Sequence, residues 1–237
     1  MEEIKKLAEI INNSEYVVVF SGAGASTDSG LADFRGKNGL YNQRDFMGYE
    51  PEEILSHDFF FQHRDIFDRY LEEKLSINGI KPNKGHKVVA ELEKLGKVKS
   101  VITQNIDNLH QEAGSKNVIE LHGTLKKWYC LKCGKKYNKA EKCECGGIVR
   151  PQVTLYGEML DEKVTQEAIE EISKADTLII VGTSLTVYPA AYYIEYFKGK
   201  NLIILNETST PRDSMANLII REKFAKVMEE AIKLIKR

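Results

Sequence analysis

The sequence has no apolar run approaching the roughly 20 residues that a membrane-spanning helix requires, which argues against an integral membrane protein. It has no excess of charge either, since 34 basic and 35 acidic residues give a formal net charge of −1 and are mixed along the chain. No basic field is therefore available to hold nucleic acid or an anionic membrane. Residues 1–12 are charged and amphipathic and lack the apolar stretch of a signal peptide. We expect a soluble cytoplasmic protein with neither nucleic acid nor membrane among its partners.

Cysteine is also scarce, and its four copies all lie between Cys130 and Cys145. A secreted protein cross-linked by disulfides would normally distribute cysteines along its length. Here Cys130 and Cys133 form a C-x-x-C pair, and Cys143 and Cys145 follow as a C-x-C pair. Four thiolates in two pairs suit a tetrahedral structural Zn2+, with a redox dithiol or chance clustering as the alternatives. Because protein ligands fill every position of such a site, we expect the metal to perform no chemistry.

Apolar, β-branched runs alternate with amphipathic segments along most of the chain, a pattern that predicts a parallel sheet covered by helices. The runs are almost continuously apolar, as expected of strands buried on both faces. We therefore predict a doubly wound, Rossmann-like α/β fold in which ligands bind beyond the carboxyl ends of the strands. The predicted strands are 16–20, 98–103, 118–121, 177–181 and 202–206, and the predicted helices are 2–12, 84–95, 162–174 and 221–236.

Two segments depart from this alternation. Residues 36–79 are rich in aromatic side chains and contain no clear strand, so we predict a loop followed by short helices that cover the ligand cleft. Residues 126–150 hold the cysteines and have too few large apolar residues for a core of their own, which predicts a small module organised around the metal. The Rossmann-like domain would then comprise residues 1–35, 80–125 and 151–237.

A glycine-rich turn follows the first predicted strand. Gly22 and Gly24 allow the backbone to turn tightly and to approach a ligand without a Cβ in the way. Ser26 or Thr27 can cap a short helix whose N-terminus would attract a pyrophosphate. A tight structural turn without a ligand is the alternative, but the acid, aromatic and cation at 33–35 favour a binding site over an ordinary connection.

Polar side chains also end two further predicted strands. Gln104 and Asn105 offer donors and acceptors that suit ribose hydroxyls, and Asp107 can accept from a carboxamide. His122 ends the next strand with Gly123 beside it, and its unperturbed pKa of about 6.5 suits a proton acceptor near neutral pH. An Asn/Asp turn and a structural histidine are the respective alternatives.

In combination, these motifs resemble the sirtuin family. Residues 22–35 as a block resemble the sirtuin signature, and residues 103–110 and 118–124 resemble the catalytic strands of the family. The zinc ribbon and residues 149–158 and 181–190 follow in the family's order, although the second cysteine pair is C-x-C where C-x-x-C is commoner. The resemblance implies an enzyme that uses NAD+ as a consumed co-substrate to remove acyl groups from lysine, with one structural Zn2+.

The resemblance also implies roles at the cofactor site. Phe34 and Arg35 would close over the reacting ribose, and Asp107 would hold the nicotinamide carboxamide. The implied NAD-binding residues are Gly22, Ala23, Gly24, Thr27, Asp33, Phe34, Arg35, Gln104, Asn105, Ile106, Asp107, His122, Gly182, Thr183, Ser184, Asn206, Glu207 and Lys223.

The implied mechanism has two catalytic residues, His122 and Asn105. The acyl oxygen attacks C1′ of the nicotinamide ribose, while Phe34 and Asn105 shield the developing cation from water. His122 then acts as general base on a ribose hydroxyl. The products are free lysine, nicotinamide and O-acyl-ADP-ribose.

The substrates implied by the resemblance are acyl-lysine proteins or peptides, added as a strand between two segments. One segment carries Tyr156, Gly157 and Glu158, and the other carries Val187 and Tyr188. The family usually has Phe at the position of Tyr156, so we expect its hydroxyl to need a partner or a water molecule.

The acyl preference is predicted from the helical module. Sirtuins that prefer succinyl or malonyl lysine carry Tyr and Arg where this chain has Asp68 and Leu71, beside Glu72 and Glu73. These carboxylates would repel an acidic acyl chain, which predicts acetyl or a longer neutral acyl group.

Two other functions remain as alternatives. Mono-ADP-ribosyl transfer to protein uses similar residues, and a non-catalytic NAD or ADP-ribose sensor would need no base such as His122. A dehydrogenase is disfavoured, because no clear ribose-binding acid follows the glycines at a distance of about 20 residues. No feature of the sequence indicates an oligomeric state.

Overall fold

The computed structural model describes residues 1–36, 39–42 and 46–235. Its centre is a six-stranded parallel sheet in the order β3-β2-β1-β7-β8-β9, and a three-stranded antiparallel sheet in the order β5-β4-β6 lies beside it. In chain order, the strands of the described residues are β1 Val17–Ser21, β2 Val98–Thr103, β3 Val118–Glu120, β4 Gly123–Cys130, β5 Lys136–Tyr137, β6 Val149–Val153, β7 Thr177–Val181, β8 Asn201–Leu205 and β9 Leu218–Ile220.

Helices cover both faces of the large sheet. Side-chain caps begin three of them: Ser56 accepts from Phe59 N, Asn83 from His86 N, and Asp161 from two backbone N–H groups. In chain order, the α-helices of the described residues are α1 Glu2–Asn13, α2 Pro51–Ile54, α3 His57–Gln62, α4 Arg64–Lys74, α5 Lys84–Lys94, α6 Leu109–Ala113, α7 Glu162–Lys174 and α8 Phe224–Ile232. None of them is long and apolar enough to cross a bilayer.

The large sheet is buried on both faces. On one face α1, α5 and α8 pack against side chains such as Val19, Val101 and Ile203. On the other face α7 and the 3-10 helix Ala190–Tyr196 pack against Phe20 and Ile180. This double burial explains why the strands are apolar at nearly every position rather than at alternate ones.

The strand order reverses between β1 and β7, and this switch point brings two loops into backbone contact. Gly24 N donates to Gly182 O at 2.8 Å. Gly182 has a φ of +58°, and a Cβ there would lie 2.1 Å from the nitrogen of Ala25. A Cβ at Gly24 would likewise lie 2.8 Å from Gly182 Cα. The glycines are therefore required first for packing of the two loops, whereas the sequence predicted a tight turn and approach to a ligand.

Among the described residues between β1 and α5, helices α2, α3 and α4 form a small helical module. Its core is aromatic, with Phe60, Phe67 and Tyr70 buried around Ile54. Leu155, in the segment that follows β6, packs into the same cluster. The module is thereby attached to the loop that leaves the small sheet, and the two form one wall beside the large sheet.

The small antiparallel sheet carries the cysteines at one end. It spans residues 123–153, so it extends past the predicted range of 126–150 at both ends. The reason is that β4 begins directly after His122 and pairs Gly123 with Val153. The metal module is therefore joined to the candidate catalytic histidine without an intervening loop.

The bounds of most strands of the large sheet, and of most helices that cover it, agree with the predictions to within one residue. The helix predicted over residues 221–236 is shorter at both ends: it begins at Phe224, after the unpredicted edge strand β9 (Leu218–Ile220) and the N-cap Lys223, and it ends at Ile232. The last predicted residue, Lys236, lies outside the described residues.

Candidate active site and metal centre

A cleft of about 770 Å3 opens at the carboxyl ends of the strands, between the large sheet and the helical module. Every residue that the sequence analysis assigned to NAD+ or to the peptide lines this cleft. The cleft brings together residues from segments that are far apart in sequence: the glycine turn, the ends of β2, β3 and β8, the loop after β6, the turn after β7, the start of α8 and the helical module. The four cysteines lie elsewhere.

His122 lies between β3 and β4 with its ring orientation set by one hydrogen bond. Its Nδ1 is 2.8 Å from the backbone carbonyl of Gln104. A carbonyl can only accept, so Nδ1 carries the proton and the neutral ring has an unprotonated Nε2. Burial lowers the pKa of His122 from its usual 6.5, and the bond to the carbonyl opposes that shift. The arrangement therefore presents a neutral imidazole whose basic Nε2 has no hydrogen-bond partner among the residues that the structure describes.

Asn105, Ser26 and Asp107 form a buried hydrogen-bonded cluster beside the glycine turn. The Nδ2 of Asn105 donates to Gly22 O and to Ser26 Oγ, both at 3.1 Å. Ser26 Oγ in turn donates to Asp107 Oδ2 at 2.7 Å, and Leu109 N donates to Oδ1 at 2.9 Å. Burial raises the pKa of Asp107, while these two donors oppose the rise. The sequence analysis considered Ser26 only as a helix cap and missed this role.

The two loops at the switch point are also joined by side chains. Gln104 Nε2 donates to Thr183 Oγ1 at 3.0 Å, linking the end of β2 to the turn after β7. Gln104 N donates to Ser21 O at 2.9 Å at the end of β1. Gln104 is therefore bonded on three sides, and the carbonyl that holds His122 has a fixed position.

The acid, aromatic and cation after the glycine turn are directed toward the helical module. The rings of Phe34 and Tyr41 have centroids 5.4 Å apart. The Arg35 guanidinium lies 4.8 Å from the centre of the Tyr41 ring and pairs with Glu52 at 2.9 Å. Asp33 accepts from Gly36 N instead of pairing with Arg35. Tyr41 thus organises this wall of the cleft.

At the opposite end, polar groups surround the part of the cleft beyond β8. Asn206 Nδ2 donates to Thr208 O at 2.9 Å. Lys223 pairs with Asp28 at 2.9 Å. The Lys223 ammonium group thus lies beside the glycine turn, although the two are about 200 positions apart in sequence.

The expected partner of the Tyr156 hydroxyl is Tyr41. The two oxygens are 2.6 Å apart, and the residues are 115 positions apart in sequence. The backbone of Tyr156 also pairs with Leu55 O and His57 N of the helical module, each at 2.9 Å. The sequence analysis noted that the Tyr156 hydroxyl needed a partner but had no signal to identify it.

Glu158 lines the cleft but is engaged by the protein itself. Its carboxylate pairs with the buried Arg150 at 2.5 and 3.0 Å and accepts from Leu155 N at 2.9 Å. Burial on its own would raise the pKa of Glu158, but the hydrogen bonds from Arg150 and Leu155 N and the charge of Arg150 together outweigh burial and lower that pKa. Glu158 therefore anchors the loop that carries Tyr156 and Gly157, a role that the sequence analysis did not assign.

The four cysteines form a compact cluster at the end of the small sheet. Cys130 and Cys145 have sulfurs 3.5 Å apart, Cys133 and Cys143 also 3.5 Å, and all four ligand atoms lie within 4.8 Å of one another. Tetrahedral Zn–S bonds of about 2.3 Å place sulfurs about 3.8 Å apart. The donor set and its spacing fit one structural Zn2+ with all four positions occupied by protein, and the C-x-C pair is accommodated.

Comparisons with a family model, with related sequences and with solved structures all find the same family. The model of the Sir2 family matches residues 22–189. An NAD-dependent protein deacetylase of Fusobacterium nucleatum is 58% identical over all of this chain and 94% of its own. A solved Sir2 structure with a p53 peptide and NAD+ has a TM-score of 0.87, at 36% identity over 97% of both chains. A Sir2 variant holding a deacetylated p53 peptide and 3′-O-acetyl-ADP-ribose has a TM-score of 0.89, at 36% identity over 98% and 99%.

The metal centre predicts a specific effect of losing one thiolate. Cys143→Ser should abolish stoichiometric zinc binding and lower the melting temperature, because a structural metal contributes folding free energy directly. Zinc per chain is measured by atomic emission and stability by calorimetry. The matched control is Glu144→Ser, which changes an exposed neighbour and should retain one zinc. A Cys143→Ser protein that keeps a full equivalent of zinc would contradict the assignment.

Proposed function

This chain belongs to the Sir2 family, and we infer from that membership and from the cleft geometry that it is an NAD-dependent protein deacetylase. Its substrates are acyl-lysine proteins or peptides, and NAD+ is consumed as co-substrate. The observation that carries the proposal is the free Nε2 of His122 in a cleft shared with Asn105 and Asp107. A structural Zn2+ on the cysteines maintains the fold and takes no part in the chemistry.

We assign the part of the cleft around the glycine turn to NAD+. Asp107 accepts from the nicotinamide carboxamide, and Phe34 and Asn105 exclude water from C1′ of the ribose. Lys223 and Asn206 contact the adenosine side. The support for this assignment is that all five residues line one continuous cleft at the switch point of the sheet.

His122 serves as the general base. Its depressed pKa keeps the ring neutral near pH 7, and Nε2 is available to accept a proton from a ribose hydroxyl. The activated hydroxyl attacks the carbon derived from the acyl carbonyl, and O-acyl-ADP-ribose and free lysine result. A positioned base of this kind contributes about 10²- to 10⁴-fold in rate.

The peptide is proposed to bind between Tyr156–Gly157 and Val187–Tyr188. Both segments line the cleft, and strand addition there uses backbone hydrogen bonds that are largely independent of sequence. Glu158, tied to Arg150, keeps the first segment in place. Broad sequence tolerance around the acyl-lysine follows.

A neutral acyl group remains our proposal, but the reason differs from the one drawn from the sequence. Leu71, Leu75, Ile77 and Val153 line the cleft as apolar walls. Asp68 pairs with Arg64, and Glu72 and Glu73 are exposed to solvent, so none of the three carboxylates is in a position to repel an acyl chain. Lys74 lines the same wall. Apolar contact, not charge repulsion, is the basis for preferring acetyl or a longer neutral chain.

The division of the chain follows these roles. Residues 1–35, 80–125 and 151–237 hold NAD+, residues 36–79 cover the cofactor, and residues 126–150 carry the metal. Cysteines that serve as metal ligands instead of forming disulfides suit a reducing compartment, which supports a cytoplasmic location.

Mono-ADP-ribosyl transfer is the second candidate function, because it needs the same NAD-binding residues. The proposal favours deacetylation because a base beside the ribose hydroxyls is needed to form O-acyl-ADP-ribose. The same base is superfluous in a non-catalytic sensor. Mass spectrometry separates all three, since only deacetylation yields O-acetyl-ADP-ribose from NAD+ and an acetyl-lysine peptide.

We predict that His122→Ala abolishes detectable turnover while the Kd for NAD+ changes by less than about tenfold, because the base acts in chemistry rather than in binding. O-acetyl-ADP-ribose is measured by mass spectrometry and NAD+ binding by calorimetry. His57→Ala is the control, since His57 is exposed and does not line the cleft. Loss of NAD+ binding together with activity would argue against the assigned role.

We also predict that an acetyl-lysine peptide is turned over faster than its succinyl counterpart, because the apolar walls cannot solvate a carboxylate. The test compares kcat/KM for the two forms of one peptide. Lys74→Met serves as a paired variant that removes the cation of this wall. Faster removal of succinyl by the unaltered enzyme would overturn the neutral-acyl proposal.

A further inference from the structure

Two histidines are fully buried beneath the active site, and the proposed mechanism uses neither. The rings of His86 and His110 are 4.7 Å apart, and both residues are at most 1% exposed. Neither lines the cleft. They differ in their bonding: neither ring nitrogen of His86 has a hydrogen-bond partner among the described residues, whereas His110 is bonded through Nε2. Burying a polar imidazole costs free energy. Because, of these two rings, only that of His110 makes a hydrogen bond to the described residues, that bond points to a specific role for His110.

The bond from His110 begins a directed chain. Ser21 Oγ donates its proton to Thr103 Oγ1 at 2.9 Å. A hydroxyl has one proton, so Ser21 Oγ must accept at its 3.0 Å contact with His110 Nε2. His110 is therefore protonated on Nε2. Burial, reinforced by the neighbouring His86, lowers the pKa of His110 well below 6.5 and keeps the ring neutral.

The chain ends at the backbone of a proposed catalytic residue. Thr103 Oγ1 accepts from Asn105 N at 3.0 Å, in addition to its bond from Ser21. The adjoining Gln104 N is held by Ser21 O, and Gln104 O in turn holds His122. The segment 104–105 therefore orients the amide of Asn105 and the imidazole of His122, and it rests on the hydroxyls that His110 supports.

We propose that His110 is a positioning residue for deacetylation, which acts through Ser21 and Thr103 to hold the backbone of Asn105 against the glycine turn. The proposal rests on the proposed function, because Asn105 is there assigned to exclude water from C1′. A side chain used for packing alone would need no donor at this position. His86, in ring contact with His110, supplies the internal comparison of a buried imidazole that makes no hydrogen bond within the described part of the chain.

Displacement of Asn105 has a chemical consequence beyond a slower reaction. Water admitted to C1′ would form a C–O bond there while the bond from C1′ to the nicotinamide nitrogen breaks. The products are ADP-ribose and nicotinamide, with the proton of water released to solvent. A shift from O-acetyl-ADP-ribose toward ADP-ribose is thus the signature of a misplaced Asn105, and general destabilisation would not produce it.

The test compares four variants of the full chain with NAD+ and an acetyl-lysine peptide. His110→Leu and Ser21→Ala interrupt the chain, whereas His110→Gln keeps an N–H donor at the same distance from the backbone. His86→Leu is the matched control, because it removes a ring from the same buried pair without removing a hydrogen bond. The readouts are kcat, KM for NAD+, the ratio of ADP-ribose to O-acetyl-ADP-ribose, and the melting temperature.

We expect His110→Leu to lower kcat by about 10- to 100-fold, since misplacement by 1 Å costs up to about 10²-fold. KM for NAD+ should change little, and the share of ADP-ribose should rise. His110→Gln should restore most of kcat and of the product ratio, Ser21→Ala should resemble His110→Leu, and His86→Leu should resemble the unaltered enzyme. Should His110→Leu fail to fold, Ser21→Ala decides the question, because it leaves both rings in place.

Equal loss of kcat in His110→Leu and His86→Leu with an unchanged product ratio would overturn the proposal and leave a packing role. A His110→Gln protein no better than His110→Leu would overturn it as well. Absence of O-acetyl-ADP-ribose with the unaltered enzyme would instead overturn the proposed function, so the two failures are distinguishable.

Discussion

The hydrogen bond from His122 Nδ1 to the carbonyl of Gln104 is the interaction on which the site depends. It selects the tautomer, turns Nε2 toward the cleft, and ties the candidate base to the end of β2. Because Gln104 is itself bonded to Ser21 and Thr183, that carbonyl cannot move without disturbing three strand ends. The position of one imidazole is thus determined by the geometry of the parallel sheet.

The cleft exists because two loops at the switch point approach within backbone hydrogen-bonding distance. Gly24 and Gly182 permit that approach. The hydrogen-bonded side chains of Asn105, Ser26 and Asp107 lie beside the glycine turn. The opposite wall is built from the helical module and joined by the Tyr41–Tyr156 hydroxyl pair. Catalytic and binding groups therefore come from rigid strand ends on one side and from a smaller aromatic unit on the other.

Local patterns were sufficient for the parts of this molecule that depend on neighbours in sequence. Continuous apolar runs predicted strands such as Thr177–Val181, and paired thiols predicted the metal centre. The edge strand Leu218–Ile220 was missed because three residues carry little periodic signal. Tyr41 and Arg150 were missed for another reason: their functional contacts join distant segments, and no local pattern encodes which hydroxyl or carboxylate a side chain will meet. The glycines were recognised, but their first role is loop packing, which only the folded chain displays.

The central claim is that His122 is a neutral imidazole with a proton on Nδ1 and a free Nε2 facing the cleft. Nitrogen NMR of the chain labelled with 15N-histidine, with His122→Ala for assignment, reports the tautomer and the pKa directly. The account predicts the Nδ1–H tautomer at neutral pH and a titration midpoint below 6.5, since burial disfavours the charged ring. An Nε2–H tautomer, or a ring that is protonated at pH 7, would contradict it.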